Sequence, residues 1–219
     1  MGRWKLFRNI ARLMFGATKN MQLLPLLMPS TWQPTQAAVR RLFGSRDPNA
    51  PDPWVTLIGV WPDSDDVVPL TVADLKPDSE AKAVATLRQR FEKSDTKIEH
   101  GNGFITMQGD AHLAAMLLAP DFCLAFHNYL ESEQVVVAIP TRNALYATTV
   151  DRIETLAEVV DVFKKDLGND GLLTDAFFIL EAGEIVAMSR RDHPLVGKAL
   201  KIISNENGVL TVEAPDDTV

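Results

Sequence analysis

The sequence predicts an α+β domain with a mainly antiparallel or mixed sheet packed with several helices, preceded by a helical N-terminal arm. Three observations carry this. Apolar runs are joined by short polar turns at Asn102-Gly103, Glu181-Ala182-Gly183 and Asn205 to Gly208, so hairpins dominate over β-α-β crossovers. Stretches with apolar residues at three- and four-residue steps lie among them and read as helices. Charge is also sorted along the 219 residues: residues 1–46 hold eight bases and no acid, whereas the rest hold 14 bases and 29 acids. The chain thus reads as a basic arm on an acidic body, and such asymmetry points to an anionic partner or to docking of the arm on its own domain or a second copy.

Composition sets the outer bounds. With 46% hydrophobic and 23% charged residues the chain can bury a substantial core, and its one cysteine, Cys123, excludes an internal disulfide and a cysteine-based zinc framework. A reducing, cytoplasmic setting fits, with attachment at the periphery of a membrane as an extension of it. No run of 18 apolar residues is present, so the arm does not read as a membrane span.

In the arm, Trp4, Phe7, Ile10 and Met14 recur on one helical face, with Arg8 and Arg12 one turn apart on another. This basic amphipathic helix suits packing on the body or a partner subunit, contact with anionic lipid, or an organellar targeting role; nucleic acid is disfavoured because the acidic body repels phosphate. Pro25, Pro29 and Pro34 are expected to interrupt regular structure, and a second helix over 35–45 has Thr35 as cap and Gly44 as stop. The proline- and aspartate-rich stretch 44–54 marks the boundary. The division is an arm at 1–46, a linker at 47–54 and an acidic domain at 55–219.

Beyond it, "WVTLIGVW" and "VVPLTV" read as strands, the second at an edge because of Pro69. Ser79 opens a helix with a Val84, Leu87, Phe91 stripe, and "TKIEHGNGFITM" forms a hairpin. Asp110 and Asp121 cap two helical pieces around Pro120. "QVVVAI" is a central strand buried on both faces, paired with "ALYATTV". Asp151 and Glu154 suggest a capping box on a long amphipathic helix that Gly168 ends, and two further hairpins follow.

Candidate sites are few. Thr141, Arg142 and Asn143 follow the buried strand, and Arg142 with neighbouring backbone N–H groups could grip a carboxylate or phosphate; an ordinary turn, with Asn143 in the left-handed region, is the simpler reading. Cys123 and His127 stand one helical turn apart, the spacing of a thiolate–imidazole pair, although their apolar neighbours favour a buried thiol. Asp110, His112 and nearby His100 could supply oxygen and nitrogen to a divalent ion, but Asp110 is better used as a cap. The acidic runs 62–66 and 215–217 lack the pattern of a calcium loop, and His193 belongs to no pattern. Neither glycine-rich phosphate-binding motif occurs, so no cofactor or metal is expected.

The order of "GNGFITMQGDAHLAAMLLAPDFCLAFHNYL", "VVVAIPTRNALYATTV", an amphipathic helix and "LLTDAFFILEAGEIVAM" resembles the C-terminal part of the YtpQ-like bacterial family of unknown function, over roughly residues 101–190. The resemblance implies a bacterial, cytoplasmic α+β protein and brings no catalytic residues with it. The functional expectation is a non-enzymatic interaction module whose arm docks on a protein partner, a second copy or a membrane surface. The alternative is a small-ligand or anion-handling enzyme or binding protein centred on Arg142, with His100, Asp110 and His112 in support.

Overall fold

The computed structural model describes residues 21–32, 38–45, 50–61, 67–70, 74–189, 201–206 and 209–213. Trp4, Phe7, Arg8, Ile10, Arg12 and Met14, both acidic runs and His193 lie outside them.

The N-terminal segment corrects the sequence reading first. Gln22–Met28 is a strand, β1, despite Pro25, and Ala38–Arg41 is a strand, β2, where a helix is expected. Both pair antiparallel with β3 (Trp54–Val60), and β4 (Val67–Pro69) shares the β2 side of β3 further along. Pro25 is tolerated because β1 lies at an edge of this small sheet, where one missing donor leaves no ladder bond unmade. The β2 reading fails for a different reason: its contacts are long-range. Arg40 forms an ion pair with Glu80 at 2.8 Å, and Arg41 lies 4.0 Å from the centroid of the Trp54 ring.

On either side of residues 46–49, the described residues of the stretch 44–54 are tied together. Asp52 is fully buried, and its carboxylate accepts the backbone N–H groups of Phe43 (2.9 Å), Gly44 (3.0 Å) and Ser45 (2.9 Å). Gly44 reaches the positive φ of 89° that lets successive N–H groups converge on one anion. β2, which precedes the boundary drawn at 47–54, and β3, which begins at its end, pair in one sheet, whose β1 residues Leu24 and Leu27 enter the main core.

A helix, α1 (Ser79–Phe91), packs on β1 and leads into the larger sheet. This contains β5 (Lys97–Gly101), β6 (Phe104–Gln108), β7 (Gln134–Thr141), β8 (Ala144–Thr149), β9 (Phe177–Glu181) and β10 (Glu184–Ser189). Their order is β10-β9-β7-β8-β6-β5, antiparallel throughout. A separate hairpin joins β11 (Lys201–Glu206) to β12 (Val209–Glu213). The molecule is α+β, as the hairpin signals predict.

The central strand β7 is sealed on both faces. Val135, Val137 and Ile139 join the core shared with the small sheet, the 3-10 segment Leu113–Leu118 and helix α2 (Pro120–Leu130). Val136 and Ala138 face Ile153, Leu156 and Val160 of helix α3 (Ile153–Gly171) on the other side. Strand alternation and helical period thus interlock in two layers around one sheet. Local details differ from expectation. Arg152, not Asp151, is the N-cap of α3, and Gly168 breaks its dihedrals at φ 67° while the helix resumes to Gly171. Asp121 sits in the first turn of α2 and pairs with Arg88 at 2.7 Å, leaving Pro120 to open the helix.

Candidate functional site

The two-residue turn between β7 and β8 stands where the end of β1, the segment after β6 and the end of α3 converge. Its backbone is held by three neighbours. Asn143 accepts from the Gly109 N–H at 3.0 Å, Arg142 from Ala114 at 2.9 Å, and Pro140 from Leu173 at 2.8 Å. Neither Arg142 nor Asn143 has a positive φ, so this is not the left-handed turn expected of Asn143. The strand twist is taken up instead by an irregularity in β7 between Ala138 and Thr141.

An open cleft of about 610 Å³ lies against this turn. It is lined by Thr141, Arg142 and Asn143, and by Met28 at the end of β1 with Thr31 and Trp32 just after it. Gly109 and Leu172 also line it. Thr141 donates its hydroxyl to the Asn143 side-chain oxygen at 2.8 Å, which leaves the Asn143 amide N–H groups for another acceptor. Arg142 is exposed and is the one charged side chain among the described residues of the lining. Among the described residues its guanidinium has no hydrogen-bond or ion-pair partner. Thr31 and Trp32 are the residues that sequence reasoning missed: they lie more than a hundred positions from Arg142, between prolines that mask their approach.

Behind the turn, His112 is buried and donates from Nδ1 to the Pro25 carbonyl at 3.0 Å. Burial pushes its pKa down, against an opposing pull from the Pro25 carbonyl and Asp110, with Arg90 and Arg142 adding to the depression. Asp110 accepts the His112 backbone N–H at 2.8 Å and the Arg90 Nε–H at 3.0 Å. His112, not Asp110, is the N-cap of the 3-10 segment, and the Asp110 carboxylate holds the backbone N–H of that cap residue instead. His100 is elsewhere, on β5, with its Nδ1 2.6 Å from the Tyr129 hydroxyl. The three do not come together, and no group of three or more metal-ligating side chains occurs among the described residues.

Cys123 and His127 do not form a nucleophile pair. The thiol is fully buried, directed at the Leu117 carbonyl at 3.7 Å, and burial pushes its pKa up to about 12, the reverse of activation. His127 instead binds the Ser132 carbonyl through Nδ1 at 2.9 Å and receives the Gly183 N–H on Nε2 at 3.3 Å, fastening the end of α2 to the β9–β10 turn. No helix among the described residues is long and apolar enough to cross a membrane. Comparison with protein-family models, with curated proteins and with solved structures found no match.

Proposed function

We propose that this chain is a binding protein whose cleft receives an anionic group, a carboxylate or a phosphate, on the Arg142 guanidinium. The observation that carries this is an exposed arginine side chain, without a partner among the described residues, on a turn whose backbone is fastened from three sides. Holding the turn rigid lowers the ordering cost of binding, and a planar guanidinium fork suits acceptors with two oxygens. Thr31 and Asn143 add polar groups, and the Trp32 ring offers an apolar surface for the rest of a ligand. The lining holds groups that bind rather than a proton donor and acceptor in reach of one another. The enzymatic form of this reading loses its support from His100, Asp110 and His112, which are committed to Tyr129, Arg90 and Pro25.

Calorimetric titration of the full chain with small mono- and dicarboxylates and with inorganic and organic phosphates tests it. At least one class binds, Arg142→Ala weakens that binding about tenfold or more, and Arg142→Lys recovers part of it. Silence across the panel, or equal binding by Arg142→Ala, rejects the reading. The charge sorting supports a second role alongside it, the docking of the cationic segment that carries Arg3, Lys5, Arg8, Arg12 and Lys19 on an acidic protein partner, a second copy or a membrane surface.

A further inference from the structure

The larger sheet ends in β5, an edge whose protection is limited to its five-residue length and the charges of Lys97 and Glu99. All five of its residues are exposed, it contains no proline, and its pairing with β6 is regular from Lys97↔Gln108 to Gly101↔Phe104. The Asn102-Gly103 turn, with φ values of 51° and 70°, fixes which backbone groups are free. A two-residue turn of this kind is closed by a hydrogen-bonded pair, Gly101 with Phe104, and alternate residues bond inward from there. Gly101, Glu99 and Lys97 bond to β6. His100 and Ile98 direct their N–H and C=O groups outward.

We infer that β5 pairs antiparallel with β5 of a second copy of this chain, about a two-fold axis at Ile98. An antiparallel ladder places outward-bonding residues opposite one another, so the permitted registers differ by two-residue steps. Charge chooses among them. With Ile98 opposite its copy, each Lys97 faces the other chain's Glu99, at the position in the ladder where side chains approach closest. A step one way sets Lys97 against Lys97, and a step the other way sets Glu99 against Glu99. Ile98 against its copy also covers an apolar side chain that is 52% exposed. Beside it lie His100 and the Tyr129 ring, 4.7 Å apart between centroids and already held by their hydrogen bond. The assembly is a continuous sheet running through both copies.

Sedimentation of the full chain across a concentration series tests the pairing. The native chain dimerises. Lys97→Glu alone and Glu99→Lys alone each place like charges opposite one another twice, and each weakens the dimer about tenfold or more. The double swap Lys97→Glu with Glu99→Lys restores it. Ile98→Pro removes an outward N–H that β6 does not use, and it yields a monomer with an unchanged circular dichroism spectrum. A native chain that stays monomeric overturns the inference and leaves the edge open or to a different partner. A dimer indifferent to both single reversals overturns it by placing the contact elsewhere.

Discussion

His112 is the buried titratable group whose surroundings make the clearest demand. Its folded pKa lies below the ordinary imidazole value of 6.5, because burial penalises the cation and Arg90 and Arg142 add to that penalty. The unfolded chain therefore takes up this proton first, and stability from the site is complete above about pH 6.5 and is lost as pH falls below it. Denaturant unfolding of the native chain and His112→Asn between pH 8 and pH 5, a range of about three units around that value, measures the effect. The variant is less stable at neutral pH and shows the shallower decline on acidification. Asp52 runs the other way: desolvation raises its pKa despite three backbone donors and Arg41. Its value to the fold lies in satisfying those donors rather than in its charge. Arg142 was legible as a candidate because a polar turn after a buried run is conspicuous in sequence, whereas Thr31 and Trp32 come to it only through the β1–β3 ladder.

At the scale of elements, two turns with the same backbone sign make different demands. Gly103 and Gly183 both have positive φ, at 70° and 83°. A Cβ on Gly103 would meet the end of the Arg152 side chain at 3.2 Å, which can move, whereas one on Gly183 would meet the Pro120 carbonyl oxygen at 2.7 Å, which cannot. Gly103→Ala is expected to cost about 1–2 kcal/mol from the left-handed conformation alone. Gly183→Ala adds an overpacking cost of about 1–3 kcal/mol, and denaturation midpoints of the two variants rank them. Both turns are legible in the sequence because glycine in a short polar gap between apolar runs has few other uses. β1 and β2 were not readable. Pro25 argued against a strand whose edge position only the fold reveals, and the helical spacing around Arg40 and Arg41 is overridden by Glu80 and Trp54, contacts that local pattern does not encode.

For the molecule as a whole, the shared core decides what can be removed. Leu24, Leu27 and Leu42 pack in one cluster with Val135, Val137 and Phe178, so deletion of residues 1–46 strips the core as well as the basic segment. That deletion is expected to abolish the near-ultraviolet circular dichroism signal of packed aromatics, and retention of the native signal would show the two sheets to be independent. Reversal of Arg8 and Arg12 to Glu in the full chain separates charge from folding: the native signal stays, and capture of an acidic partner or vesicle falls. The union of the sheets also has a temporal side. On the ribosome β1, β2 and β3 emerge well before β7 and β9, so the early strands wait with one oily flank uncovered until the later ones arrive. The half-made polypeptide is then at its stickiest, and slow translation between residues 60 and 130 should draw chaperones to it.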